Sequence, residues 1–484
     1  MDSPLSIFLL KPSIKIPRPA MMLRHTKEGL CPKIYIHFHT NHKKSSKLTP
    51  NMMPDVVSRD IVKPSHSTPN NHKTSHKLSF FDQMAPSIYI PLLFFYTNKD
   101  TETDNLRSSV LKSSLSAALL HYYPLAGRIK DDVTVDCNDD GALLVEARME
   151  VNLSEILKSP DDEILKLLFP DSLYYKDSTL IGPVAVQVTY FQCGGMSIGL
   201  CLCHKVLDMA SMCSFIKNWA SIARILDEKL EVCPEFNIGS LYPPLDLSVL
   251  KIELPPLEVK KCPSRRLGFD AQKVTKLKEM MADQVPNPTR VEVVTALLYK
   301  SAITAAAKAS SSGSLQTTVL QHAMNLRTRI FPPVSEGLTG NLIGYFPVSI
   351  SEEKYIDLVW IVKEFRKMKT QFSSAYAKAC NAKELCSLVV ESSKTLRACY
   401  DDDEEGYFCS SWCRFPFYES ADFGLGKPFW VTSVCSALKN MIIVMDTKGG
   451  DGIQAFITLG EDAMAMFELD QELLSFSSIN PSVR

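Results

Sequence analysis

The stretch Cys201-Leu202-Cys203-His204-Lys205-Val206-Leu207-Asp208 decides how the rest of this chain is read. Before it, Val184 to Gln192, Cys193-Gly194-Gly195 and Met196 to Cys203 read as strand, turn and strand. After it, Met212, Phe215, Ile216, Trp219, Ile222 and Ala223 recur at helical spacing. His204 therefore sits where an apolar strand stops and a helix begins, with Asp208 four residues on. A histidine at such a junction faces a cleft while rigid elements stand behind it, which suits a general base.

The HxxxD spacing alone is a weak pattern. The distribution of histidine strengthens it: seven of the ten lie before residue 80, and the main body holds only His121, His204 and His322. His121 reads as a helix-end residue and His322 as a packed strand residue. No acidic or thiol side chain stands at metal-ligand spacing from His204, so no metal site is expected.

A chain of 484 residues exceeds one ordinary core, and two domains are expected. Apolar content of 45% with 22% charged residues is that of a globular chain. A net charge of −1 gives no electrostatic case for nucleic acid or for a membrane surface. No run reaches the ~18 apolar residues of a membrane span. Fourteen cysteines without a CxxC pair suggest small buried side chains in a reducing compartment, hence a cytoplasmic chain.

The first fifty residues carry nine Lys or Arg against Asp2 and Glu28 and show no sustained amphipathic period. Residues 1–52 are read as a disordered or non-native leader. An N-terminal domain over 53–233 carries HxxxD. Residues 234–265, with Pro243-Pro244 and Pro255-Pro256, form a crossover. Residues 266–484 form a C-terminal domain. Within the first domain, a strand is expected at Tyr89 to Phe95 and a helix at Leu106 to Leu120. Val133 to Cys137 and Leu143 to Ala147 are expected to pair as a hairpin around Asn138-Asp139-Asp140-Gly141. In the second, helices are expected at Ala271 to Ala282, Arg290 to Ala307 and Gly460 to Leu469. Strands are expected near Arg266 to Phe269 and at Thr317 to Asn325, Asn341 to Val348, Phe429 to Cys435, Met441 to Asp446 and Gly452 to Leu459. Mixed strand and helix in both halves makes this an α/β chain of two mixed-sheet domains.

Two motifs are decoys. Gly195-Met196-Ser197-Ile198-Gly199 matches GxSxG, but Ser197 lies inside a strand rather than on a nucleophile elbow. Asp422-Phe423-Gly424 matches the kinase metal triplet but has no HRD or VAIK partner.

With His204 and Asp208 upstream and Asp422-Phe423-Gly424-Leu425-Gly426-Lys427-Pro428 near the C-terminus, the chain resembles the BAHD family of plant acyl-CoA-dependent acyltransferases, which pairs HxxxD with a late DFGWGKP. Leu78-Ser79-Phe80-Phe81-Asp82, Tyr123 to Arg128, Asn325-Leu326-Arg327-Thr328-Arg329, Asn341-Leu342-Ile343-Gly344 and Ser410-Ser411-Trp412 extend the likeness in family order. Asp136-Cys137-Asn138 and Ser411-Trp412-Cys413-Arg414 are similar to the vinorine synthase-like branch that acetylates alkaloids.

The resemblance implies a chloramphenicol-acetyltransferase-like fold with a solvent channel between the domains. It implies an O-acyltransferase (EC 2.3.1 type), no permanently bound cofactor, and acyl-CoA, above all acetyl-CoA, as co-substrate. The partner is a small-molecule alcohol acceptor, an alkaloid or terpenoid, and the chain acts as a monomer. His204 is then the general base. Asp208 points away from it and pairs with Arg327, with Arg329 as the next match. Ser410 is an oxyanion donor with Trp412 lining the pocket, and Asp422, Gly424 and Gly426 are structural. Leu425 stands where the family has Trp. That departure raises an alternative, a non-catalytic binding or regulatory member of the same fold.

Overall fold

The computed structural model describes residues 52–68, 75–97, 103–170, 182–225, 230, 232–247, 262–310, 313–398, 404–434 and 438–483. The expected leader lies outside the described residues except for Met52, as does the middle of the crossover, 248–261.

The strands Val184–Phe191 and Met196–Cys203 are buried at every position. Strands apolar on both faces belong in a sheet interior. They form the centre of a six-stranded sheet ordered Asp55–Val62, Ala142–Met149, Val184–Phe191, Met196–Cys203, Tyr89–Tyr96, Trp430–Thr432. The helices Asp104–His121 and Met209–Ile225 lie together, tied by Trp219 Nε1 donating to Ser114 Oγ at 3.0 Å. The last strand comes from the far end of the sequence. Trp430 pairs with Phe95 and stacks on its ring at 4.9 Å.

A second sheet of seven strands runs Ile343–Ile350, Thr317–Asn325, Glu404–Ser411, Met441–Asp446, Ile453–Thr458, Ser264–Phe269, Ser478–Ile479. Its three strands Thr317–Asn325, Glu404–Ser411 and Met441–Asp446 are mutually parallel. The helices Arg290–Ala309 and Leu358–Lys378 share the second core with this sheet. Thr289 and Glu292 close a capping box at the start of the former.

The expected hairpin of 133–137 with 143–147 does not form. Thr134–Asp136 pairs instead with Arg128–Asp131 and His76–Lys77 in a separate small sheet. Ala142–Met149 lies between Asp55–Val62 and Val184–Phe191. The intervening loop is anchored elsewhere: both Asp139 carboxylate oxygens accept from Thr68, and Gly141 N–H donates to the Ala126 carbonyl. Gly141 has φ +87°, and a Cβ there would meet the Val62 carbonyl at 2.5 Å. The apolar run 142–149 gains more from a two-sided place in a large sheet than from a solvent-flanked ribbon.

Candidate active site

His204 is the first residue after the strand Met196–Cys203. The chain turns tightly there, with Val206 and Leu207 N–H groups both donating to the Cys203 carbonyl and both side chains buried. The His204 N–H donates to the Ile88 carbonyl at 2.9 Å, and its carbonyl accepts from Asn341 Nδ2 at 2.8 Å. Both main-chain groups of the residue are therefore held, one from each half of the sequence. The residue keeps part of its surface open to solvent. Nδ1 is buried without a hydrogen bond of normal geometry.

Burial holds the His204 pKa below the ordinary histidine value of 6.5. Main-chain groups of His204 and Leu207, the Asp208 charge and the Asn341 amide oppose that shift only in part. The ring is thus neutral at pH 7, the state in which imidazole accepts a proton.

The Asp208 carboxylate acts on the ring through its charge, while its hydrogen bonds go elsewhere. Asp208 is the N-cap of the helix Met209–Ile225, with Oδ1 accepting from Ser211 N–H at 3.0 Å. Its Oδ2 accepts from Arg327 Nη1 at 2.5 Å and from Leu342 N–H at 3.0 Å. The Arg327 guanidinium also donates to Ser211 Oγ at 3.0 Å and to the Gly340 carbonyl at 2.9 Å. One buried ion pair thereby joins the His204 turn, the helix that follows it and the loop before the strand Ile343–Ile350.

A second clamp was not assigned from sequence. Asp82, fully buried, accepts at Oδ1 from the main-chain N–H and the Nδ2 of Asn341, both at 2.8 Å. Its Oδ2 accepts from Ser79 N–H and Oγ, both at 2.7 Å. Burial raises the Asp82 pKa, against which these donors work. Asp82 aims the Asn341 amide whose other contact is the His204 carbonyl. Asp82 and Asn341 are 259 residues apart in sequence, so no local signal links them.

Ser410 lies in the strand Glu404–Ser411, opposite Ile443. Its Oγ accepts from Trp412 Nε1 at 3.1 Å, which leaves the hydroxyl proton free to point elsewhere. Trp412 is buried and belongs to the first core with Trp430 and Ile443.

The late motif lies at the other end of the helix Met209–Ile225. Asp422 Oδ1 accepts from Gly424 N–H at 3.1 Å and Gly426 N–H at 2.9 Å. Gly424 and Gly426 have φ +87° and +82°, which favour glycine. Phe423 meets Trp219 edge-on at 4.7 Å. Leu425 is half-buried against the first core.

His121 ends the helix Asp104–His121. His322 is packed between Phe346 and Phe365 at 5.1 and 4.9 Å, and burial lowers its pKa to about 4. Ser197 is a buried mid-strand residue opposite Thr189 and Phe95, which removes the hydrolase motif as an elbow. Among the described residues no group of three His, Cys, Asp or Glu is placed to hold a metal ion.

The chain is similar to known proteins in sequence and fold. The pattern of the Transferase family matches residues 52–474. A 17,18-epoxy-17-hydroxycur-19-ene N-malonyltransferase of Strychnos nux-vomica is 37% identical, covering 88% of this chain and 90% of that protein. A limonoid 21-O-acetyltransferase of Melia azedarach is 35% identical, covering 88% of this chain and 99% of that protein. The crystal structure of vinorine synthase superposes with a TM-score of 0.75 at 31% identity, covering 87% of this chain and 98% of that one.

Proposed function

The chain belongs to the plant BAHD transferase family and is an acyl-CoA-dependent acyltransferase, and on that premise we propose that it moves an acetyl group from acetyl-CoA to a hydroxyl of an alkaloid or terpenoid. The observation that carries the reading is His204: an imidazole kept neutral by burial, with both main-chain groups fixed and part of its surface open.

The ring takes the proton of the acceptor hydroxyl as the oxygen attacks the thioester carbonyl. The tetrahedral intermediate carries its negative charge on the former carbonyl oxygen, where the Ser410 hydroxyl donates. Trp412 supports this role by donating to Ser410 Oγ, so that the hydroxyl proton is left for the oxyanion. Collapse expels the CoA thiolate, which receives the proton from the imidazolium. A positioned base of this kind contributes ~10²–10⁴-fold to the rate. Asp208 and Arg327 hold the turn rather than exchange protons. An O-acetyltransferase among the relatives supports the acetyl and hydroxyl assignment, while the N-malonyltransferase marks the range of acyl group and acceptor atom to be screened. The same reading has the enzyme act as a monomer in the cytoplasm, on the cysteine usage of the sequence. Among the described residues no helix is long and apolar enough to cross a membrane.

The test is thioester consumption by the purified full-length chain with acetyl-CoA and a panel of hydroxylated alkaloids and limonoids. Turnover is expected for at least one acceptor, and His204→Ala is expected to lower it by about a hundredfold or more. Near wild-type turnover of that variant overturns the base assignment. Binding of acceptors and acyl-CoA with no transfer in any combination favours the non-catalytic alternative.

A further inference from the structure

Ser410 stands one residue before the end of the strand Glu404–Ser411, and a hydroxyl so placed is only as well aimed as the chain that follows it. That chain is stitched to the neighbouring parallel strand Met441–Asp446. Ser410 lies opposite Ile443 and Ser411 opposite Val444, and Trp412 N–H continues the ladder by donating to the Val444 carbonyl at 2.7 Å. The chain then turns at Cys413-Arg414. There a side chain makes the next rung: Arg414 N–H donates to Asp446 Oδ2 at 2.7 Å. Arg414 has φ +70°, a left-handed conformation that an arginine keeps only where its surroundings hold it. Backbone strain of this kind gathers at functional sites, and here it falls two residues beyond Trp412 and four beyond Ser410.

Asp446 is itself fixed. Its Oδ1 lies 3.1 Å from Nη2 of Arg290, the first residue of the helix Arg290–Ala309. Arg290 Nη1 also donates to the Gly452 carbonyl at 3.2 Å. The pair is largely shielded, with 18% of the aspartate side chain and 28% of the arginine side chain exposed. Burial first, and the Asp446 charge next, push the Cys413 thiol up to about 12, with smaller contributions from hydrogen bonds to Ser411 and Asp446. The thiol therefore stays protonated inside the turn, and the carboxylate organises the residues around it. The link to the reaction centre runs through Trp412, whose Nε1 donates to Ser410 Oγ at 3.1 Å. A shift of the main chain at 413–414 moves the indole and with it the hydroxyl.

We infer that Asp446 is a positioning residue for the oxyanion donor: by holding Arg414 in its left-handed turn it fixes Trp412, and through the indole it fixes the direction in which the Ser410 hydroxyl points. This rests on the oxyanion reading of Ser410 above and adds what keeps that group aimed. A donor lowers the barrier only when it is already directed at the place where charge develops, and a small misplacement removes much of its effect. Asp446 touches no reacting atom in this scheme and acts through main chain and indole.

Steady-state kinetics of the full-length chain with acetyl-CoA and an acceptor it turns over, run as a double-mutant cycle with Ser410→Ala, test this. Asp446→Ala is expected to lower kcat by about tenfold, less than the ~10²-fold of deleting the hydroxyl, with KM for acetyl-CoA within about twofold. In the Ser410→Ala background the same change is expected to cost less than about twofold, because no hydroxyl remains to be aimed. Adding Arg414→Gly to Asp446→Ala is expected to bring kcat back to within about threefold of the wild type, since glycine takes a positive φ without an anchor. Where Asp446→Ala does not fold, Asp446→Asn goes through the same cycle. It keeps the volume and an acceptor for the Arg414 N–H but lacks the charge that Arg290 holds, and a fall of about threefold in kcat, absent without Ser410, is expected. An equal loss in both backgrounds overturns the inference, since the carboxylate would then support the fold or another group. An Asp446→Ala variant with the kcat of the wild type overturns it too. A Ser410→Ala variant as fast as the wild type refutes the oxyanion reading itself.

Discussion

Replacing Asp208 by asparagine tests whether this carboxylate positions the base or takes part in the chemistry. The side chain has two oxygens and three donors: Ser211 N–H on Oδ1, Arg327 Nη1 and Leu342 N–H on Oδ2. Asparagine keeps the volume and caps helices as well as aspartate does. It offers one acceptor where the fold uses two, and it turns an NH₂ toward a donor at one end or the other. It also leaves the Arg327 guanidinium, with 13% of its side chain exposed, without its carboxylate. Breaking one member out of a buried ion pair costs ~3–5 kcal/mol. The cap contributes ~1 kcal/mol when it is removed altogether, so Asp208→Ala is expected to fall further than Asp208→Asn.

Two measurements on the same protein decide the matter. Chemical denaturation should show a destabilisation of about 3–5 kcal/mol in Asp208→Asn. The profile of kcat/KM against pH should show an acid limb moved to lower pH. The sign follows from the charge: the Asp208 carboxylate favours the imidazolium of His204, so removing it lowers a pKa that burial already holds below 6.5. Activity falls because the turn loosens, and a misplacement of about 1 Å at a base can cost ~10²-fold. An Asp208→Asn variant that unfolds with the wild type yet is as inactive as His204→Ala would refute the reasoning, since it would give the carboxylate a chemical task.

Ser410→Ala is expected to lower kcat by ~10²-fold with little change in melting temperature, because the hydroxyl is half-buried and its Oγ accepts one indole N–H; steady-state kinetics with saturating acetyl-CoA check this. His322→Phe is expected to flatten the acid side of the stability curve. The folded-state pKa of about 4 lies below the unfolded value of 6.5, so the unfolded chain takes up the proton first. Stability then declines as pH falls from 6.5 toward 4, by about 3 kcal/mol for this one group, and urea titrations across that range should show that decline absent in the variant.

Local pattern was legible where one force dominated. The strands Thr317–Asn325 and Met441–Asp446 fall at the expected residues because their apolar runs are short, dense and bounded by turns. The helix Leu358–Lys378 carried a weaker signal. Leu358, Ile361, Val362 and Phe365 are buried in its first half, but Arg366, Lys369, Thr370 and Ser373 line a cavity and dilute the apolar stripe. Asp-Gly between two apolar runs is a turn signal that points Leu143 to Ala147 into a hairpin, and only the assembled sheet reveals the better partners of the strand Ala142–Met149. At the site, His204 is readable from strand-to-helix punctuation. Arg327 follows only from resemblance, since 119 residues separate it from Asp208. Asp82 and Asn341 belong to recognisable motifs, but their work is a contact across the molecule, which periodicity does not report.

The separation between the base and the late motif also settles what Leu425 does in place of a tryptophan. The helix Met209–Ile225 has 17 residues, so its ends lie about 24 Å apart at ~1.5 Å per residue. His204 and Asp208 stand at its start, and Phe423 packs on Trp219 toward its finish. The turn at 422–426 is made by Asp422 accepting from two glycine N–H groups at left-handed positions, none of which needs a ring at 425. Tyr96, whose hydroxyl donates to the Ala421 carbonyl at 2.8 Å, anchors the same segment to the first sheet independently. A smaller side chain at a half-buried position therefore lowers packing at the far end of the helix and leaves the His204 turn, clamped by Ile88, Asn341 and the Asp208–Arg327 pair, where it is. The departure bears on how firmly that helix end is held, and so gives no ground for reading the chain as a binding protein without chemistry of its own.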